Sequence, residues 1–286
     1  MFAQIVDIFK LRIGVLMAVT ALAGFAVTPG ESLSSLQILA LAMTVLGASA
    51  AAGAFNQYAE KDLDAQMERT KKRAFVTGAA SHNKSWLWLI AGLLLSSVGL
   101  ASWLFNIAVG FHVFMGAFTY GVIYTLWLKR RTAWNIVIGG AAGSFAVLAG
   151  AAASDPSLSI PSILLAVVLF LWTPPHFWAL AIALHKDYAA AGVPMLPVVK
   201  GDDAAAKIIL LNIIALVVVS LLPGLYGLGW VYLAGASIGG VYFIYKGIHL
   251  VQDANPKTAI RCFLASLVQL TLLLIAAMVD PLIVLG

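Results

Sequence analysis

Nine stretches of this chain are apolar for long enough to cross a bilayer, and that limits its fold more than any other feature. A spanning helix needs about 20 mainly apolar residues. The runs lie near 12–29, 36–56, 86–105, 107–128, 133–153, 160–184, 207–226, 228–248 and 260–279. Each is continuous, which excludes an outer-membrane β-barrel, whose strands alternate polar and apolar. Of the 286 residues 62% are hydrophobic and only 10% charged, where a soluble domain carries about 25% charged. A soluble chain of this length could not hide so much apolar surface, and a disordered one would not carry it. The single cysteine, Cys262, rules out an intrachain disulfide scaffold and reads as a small core residue. The amino end does not read as a signal peptide, because Asp7 interrupts it and no A-x-A-like site follows a short apolar core.

Polar breaks separate the runs: Pro29-Gly30-Glu31-Ser32, Glu60 to Lys84, a tight break at Asn106, Lys129 to Thr132, Ser154-Asp155-Pro156, Lys186 to Lys207, Tyr226-Gly227, and Asp253 to Lys257. With the amino end cytoplasmic, all 17 Lys and Arg residues fall at or beside the cytoplasmic ends of the spans. That is the segregation the positive-inside rule demands. One span more or fewer would destroy it. The expected fold is therefore an all-α polytopic membrane protein of nine transmembrane helices, amino end inside and carboxyl end outside. Two long cytoplasmic loops follow spans two and six, four spans apart. This predicts two four-helix halves plus a ninth helix around a central cavity, in a single domain over residues 1–286.

The informative polar chemistry lies at the end of span two. Asn56, Glu60 and Asp64 are spaced i, i+4, i+8, so on a continued helix they share one face, drifting ~40° per step along a strip ~12 Å long. Oxygen ligands in such a strip suit Mg²⁺, which usually shares them with substrate phosphates. Asp62 points elsewhere on an ideal helix and joins only if the helix end unwinds. Directly after comes Arg69-Thr70-Lys71-Lys72-Arg73. Cations beside carboxylates fit a polyanion bound together with its metal, and a diphosphate is such a group. Taken alone, the basic run also fits a solvated, orienting loop. Asn56 and Glu60, at the edge of an apolar run, fit that bland account less well, because polar groups at membrane depth are costly.

Span six carries Thr173-Pro174-Pro175-His176-Phe177-Trp178. The prolines remove two backbone donors, so His176 either satisfies the freed carbonyls as a core residue or presents an imidazole to a ligand such as a haem iron or a carboxylate. His112 reads as a core histidine. Asp187 beside Lys186 puts one carboxylate and one cation at the depth of Asp64, in the loop that the four-span repeat would bring opposite. Asp202-Asp203 reads as the start of a surface helix.

These residues carry a resemblance. Asn56…Glu60-Lys61-Asp62-Leu63-Asp64 with Met67 to Arg73, Tyr124 to Thr132, Asn135 to Gly140, Thr173 to Trp178, and Lys186-Asp187-Tyr188…Gly192-Val193-Pro194-Met195-Leu196-Pro197 resemble the motifs of the UbiA superfamily of intramembrane prenyltransferases. In combination they are similar to its haem-modifying branch, the protoheme IX farnesyltransferases (haem O synthases). Glu60 stands where that family more often has Asp, keeping the ligand type with one methylene more reach. Ala74, Ala133 and Ala146-Val147 stand where prolines are usual. The second acidic motif is reduced to Asp187, with Ala191 four residues on.

The resemblance implies transfer of a farnesyl group from farnesyl diphosphate to a vinyl group of protoheme IX (haem B), with water added, giving haem O and diphosphate. It implies Mg²⁺ as cofactor, held by Glu60, Asp64 and Asp187. Asp62 would assist and Asn56 would orient metal or phosphate. Arg69, Lys71, Arg73, Lys129, Arg130 and Lys186 would clamp the diphosphate, and His176 would contact haem. Tyr120, Tyr124 and Trp127, at i, i+4, i+7 on span four, would face the allylic cation, unless they simply pack against lipid. Lys10 and Arg12 would pair with haem propionates or only orient the chain. The implied setting is the bacterial inner membrane. A haem A synthase or a terminal oxidase is a candidate partner, and nothing points to nucleic acid. Two other readings stay open: prenylation of a quinone precursor or chlorin-like ring, and transport. A transporter would hold its charged site near the bilayer midplane, whereas here the charges gather at one surface.

Overall fold

The computed structural model describes residues 2–284, and among them no strand occurs. The helices are α1 (Phe2–Ile8), α2 (Leu11–Ala26), α3 (Ser35–Ala59), α4 (Lys61–Asp64), α5 (Ala74–Thr77), α6 (Ser85–Leu104) and α7 (Ile107–Phe118). The last runs straight into a π-helix over Thr119–Leu128. They are followed by α8 (Asn135–Gly139), α9 (Ala141–Ser154), α10 (Ile160–Ala183), α11 (His185–Ala190), α12 (Leu196–Lys200), α13 (Asp202–Leu221), α14 (Trp230–Gln252) and α15 (Pro256–Val284).

Eight of the helical stretches are long and apolar enough to cross a membrane, and α2 is a shorter apolar ninth. This is the expected nine-span membrane protein. Boundaries moved where helix-stop chemistry is weak: span seven starts at Asp202 rather than 207, and span nine runs Pro256–Val284. Where a polar cap is present the break falls as read. Asn106 Oδ1 accepts from Val109 N (3.0 Å) and its Nδ2 donates to the Ala152 carbonyl (2.8 Å), so one residue closes α6, opens α7 and ties both to α9. Ser34 and Gln37 form a reciprocal capping box at the start of α3. Large apolar side chains such as Leu36, Trp88, Trp103 and Ile107 are exposed, as expected where the surrounding solvent is hydrocarbon.

Within that solvent, apolar burial does not drive helices together, so close packing must come from small residues. α2 and α9 show this. A Cβ on Gly24 would stand 2.1 Å from the Val147 carbonyl oxygen, and one on Gly150 would stand 1.7 Å from that of Ala21. α2 also packs on α3, and α10 on α13 and α15. α15 closes the circle by touching both α10 and α2. At one end of the bundle Ser154 Oγ donates to the Thr28 carbonyl (3.0 Å). There too the buried Asp280 carboxylate accepts from Gly229 N (2.6 Å) and Tyr232 N (3.1 Å), capping α14. The loops after spans two, four and six meet at the other end.

If the α2–α9 contact is backbone against backbone, Gly150→Ala should lower the melting temperature in detergent, at a cost of at least ~1–3 kcal/mol. Gly143→Ala, whose Cβ would meet nothing within 4 Å, should leave it unchanged. Equal melting curves for the two variants would contradict this packing.

Candidate active site at the loop end of the bundle

α3 ends at Ala59, yet its hydrogen bonding carries on: Glu60 N donates to the Asn56 carbonyl (3.0 Å) and Asp64 N to that of Glu60 (2.8 Å). The i, i+4, i+8 strip is thereby preserved through α4. Asn56, Glu60 and Asp64 are each 1–2% exposed. Burying a carboxylate is expensive unless it is paired, and both are. Lys129 Nζ donates to Glu60 Oε2 at 2.5 Å. Arg73 Nη1 donates to both oxygens of Asp64 at 2.8 Å. Thr70 Oγ1 donates to the Asp64 carbonyl (2.9 Å), which folds the basic run back over the strip.

The π-helix supplies the third wall. Its i→i+5 backbone bonding is visible in Lys129 N donating to the Tyr124 carbonyl (2.9 Å), and the Thr125 side-chain hydroxyl donates to the Tyr120 carbonyl (2.8 Å). The wider turn brings Thr125 onto Asn56, whose Nδ2 donates to Thr125 Oγ1 and to Glu60 Oε2, both at 2.9 Å. Tyr120 and Tyr124 stack at 5.6 Å, and Lys129 Nζ lies 5.7 Å from the Tyr124 ring centroid. Gly139 and Gly140 make room: a Cβ there would strike the Tyr124 ring at 2.8 Å and Thr173 at 2.9 Å. Trp127 does not join them. An α-helical spacing places it with the tyrosines, but the π-turn rotates it away, and it is 54% exposed.

The remaining residues divide. Asp187, in α11, accepts from Arg69 N at 3.3 Å, so the two long loops do meet. Arg69 also lies beside the buried Tyr188, whose hydroxyl is pushed up by burial and pulled the other way by that guanidinium. Asp62 stays outside. The helix end loosens at Glu60 as its joining would require, but Asp62 turns outward into a bidentate pair with Arg130 (2.9 and 3.0 Å). That hydrogen bonding holds its carboxyl below the usual range. Lys71 pairs with Glu68 on the surface (2.6 Å), and Lys186 is exposed. His176 sits on α10 about 10 Å below the helix end, 7% exposed, with Nδ1 2.6 Å from Ser266 Oγ and its ring between Trp172 (4.2 Å) and Phe263 (4.4 Å). Thr173 Oγ1 donates to the Leu169 carbonyl (3.0 Å), whereas the carbonyls that Pro174 and Pro175 free are those of Phe170 and Leu171.

One residue takes a place in the site that its sequence reading, a partner for haem propionates or an orienting charge, did not include. Lys10 Nζ donates to Asn56 Oδ1 (2.5 Å) and to the Tyr120 hydroxyl (2.9 Å). Burial pushes its ammonium down to about 7, with Arg73 acting the same way and Glu60 and Asp64 opposing.

A divalent cation fits this donor set. Glu60 Oε1 is buried and has no hydrogen-bond partner, and every side chain of the strip offers oxygen, the ligand type Mg²⁺ prefers. Among the described residues no three His, Cys, Asp or Glu side chains are close enough to hold an ion on their own. Glu60, Asp64 and Asp187 are each engaged by a separate donor. Oxygens of a bound phosphate group would have to complete the coordination.

Comparison with known proteins agrees with this architecture. Residues 17–274 match the UbiA prenyltransferase family. The chain is 54% identical over 277 residues to protoheme IX farnesyltransferase 2 of Paramagnetospirillum magneticum, covering 97% of this chain and 96% of that one. It is 37% identical to the protoheme IX farnesyltransferase of Parvibaculum lavamentivorans, covering 98% and 89%. In fold it is similar to a digeranylgeranylglyceryl phosphate synthase, with a TM-score of 0.80 at 18% identity over 98% of each chain. It is also similar to a UbiA homologue from Archaeoglobus fulgidus bound to DMAPP and Mg²⁺, with a TM-score of 0.70 at 14% identity over 94% of this chain and 99% of that one. The chain belongs to the UbiA prenyltransferase family, as an integral membrane protein built on that family's helical fold.

Proposed function

We propose that this protein transfers a farnesyl group from farnesyl diphosphate to a vinyl group of protoheme IX, with water added, giving haem O and diphosphate. The observation that carries the reading is the buried pairing of Glu60 with Lys129 and Asp64 with Arg73, in a chain 54% identical to a protein named for that activity. The whole chain acts as one domain in the bacterial inner membrane, with its amino end in the cytoplasm. The one-sided distribution of Lys and Arg supports that orientation.

Breaking the allylic C–O bond leaves negative charge on the departing diphosphate, and the residues here answer that charge. Mg²⁺, when bound, would neutralise part of it as a Lewis acid. Glu60, through its free Oε1, and Asp64 would hold the ion from one loop and Asp187 from the other. Arg73 and Lys129, released from their carboxylates, would turn to the phosphate oxygens, with Arg69 beside them. Asn56 keeps Glu60 aligned. Tyr120 and Tyr124 would present ring faces to the developing allylic cation. Half-buried under the loops, they would help keep water away from it. Arg130, Lys71 and Lys186 are rim cations that attract the polyanion rather than grip it, and Asp62 holds Arg130 in place there. His176 would meet haem through Nε2, its Nδ1 being taken by Ser266.

Purified protein given haem B, farnesyl diphosphate and Mg²⁺ should yield haem O by mass spectrometry of the extracted haems, and chelation should abolish it. A prenylated quinone precursor in its place would overturn the substrate assignment. Asp64→Ala should reduce turnover about 10²-fold or more, in line with loss of a preorganised charge-stabilising group. Asp62→Asn, removing only an exposed pair worth ~0–1 kcal/mol, should stay within a few-fold of wild type. Equal losses at the two positions would refute this division. His176→Ala should shift the haem absorption spectrum and weaken haem binding while diphosphate affinity holds. An unaltered spectrum would return His176 to the core.

A further inference from the structure

The first two basic residues of the chain behave differently. Arg12 is exposed on α2, as an orienting charge should be. Lys10, two residues earlier, is drawn inward. Its backbone sits in the left-handed region (φ 48°, ψ 42°), which disfavours any residue with a Cβ. α1 is tied to α3 by Gln57 Nε2, which donates to the Asp7 carbonyl (2.8 Å). Gly53 clears the way for the lysine stem: a Cβ there would stand 3.1 Å from Lys10 Cβ. The chain accepts strain and a small-residue gap to bring one ammonium to Asn56.

That contact and the Glu60 carboxylate together fix how Asn56 points. An ammonium only donates and a carboxylate only accepts. Lys10 therefore takes Oδ1, and Nδ2 is left to Glu60 Oε2 and Thr125. With Oε2 engaged by Asn56 and Lys129, Oε1 is the oxygen left bare.

We propose that Lys10 is a positioning residue of the site: by fixing the Asn56 amide and the Tyr120 hydroxyl, it determines which Glu60 oxygen is presented to a metal–diphosphate ligand. The proposal rests on the diphosphate reading above, and its test separates the two. The probe is inorganic pyrophosphate with Mg²⁺, titrated calorimetrically into the full chain in detergent. Lys10→Met should weaken pyrophosphate binding about tenfold, the scale of one lost charge-assisted hydrogen bond, with the melting temperature held. On an Asn56→Ala background the same change should add almost nothing, because the two residues act as one unit. Lys10→Arg, which keeps a donor-only cation, should bind within about threefold of wild type. Additive losses on the Asn56→Ala background would overturn the proposal. So would unchanged binding in Lys10→Met, or a loss in Lys10→Arg as large as in Lys10→Met; in the last case Lys10 merely anchors α1. Wild-type protein that binds pyrophosphate but forms no prenylated haem sinks the substrate reading and leaves Lys10 in place. Wild-type protein that binds no pyrophosphate sinks both.

Discussion

Keeping carboxylates ionised at the margin of a hydrocarbon slab is the constraint around which this protein is organised. Glu60 and Asp64 are almost wholly enclosed, and an enclosed carboxylate without a counter-charge would cost several kcal/mol. The chain solves this twice with cations from different directions. Arg73 arrives from the loop that follows the strip, Lys129 from the end of the fourth span. The loop must therefore fold back, and the fourth span must end where it does. Removing either cation would strand a buried charge, so the site and the stability of this end of the bundle are inseparable.

The π-helix is the second element on which the geometry turns. An α-helix over Thr119–Leu128 would send Thr125 and the tyrosines off on different headings. The extra residue per turn gathers Tyr120, Tyr124 and Thr125 against α3. Such turns are strained and tend to be kept where they position chemistry. Gly139 and Gly140 make it tolerable by yielding space to the Tyr124 ring and Thr173.

Much of this could be read in advance, because membrane sequences are unusually explicit. Apolar run length and the placement of Lys and Arg follow from solvation alone, and they yield the nine spans. The Asn56–Glu60–Asp64 strip was legible because four-residue spacing survives the change from α3 to α4. What stayed hidden depends on local backbone deviations that composition does not announce. Trp127 was grouped with the tyrosines by α-helical spacing, and only the π-turn separates it. Arg73 and Lys71 are equivalent cations in the sequence; the fold-back held by Thr70 sends one inward and leaves the other on Glu68. Lys10 reads beside Arg12 as a haem-propionate partner or an orientation signal, and nothing in a linear pattern reveals a left-handed residue that redirects its side chain.

The contact between α2 and α9 has a bearing on motion. With Gly24 and Gly150 pressing each helix onto the other's peptide groups, α2 has no slack to slide along its axis or roll about it. A bilayer-crossing rod seated this way cannot serve as a piston between the two leaflets. With α1 tied to α3 through Gln57 and Lys10 held on Asn56 and Tyr120, this corner of the protein is a fixed post against which the loops are set.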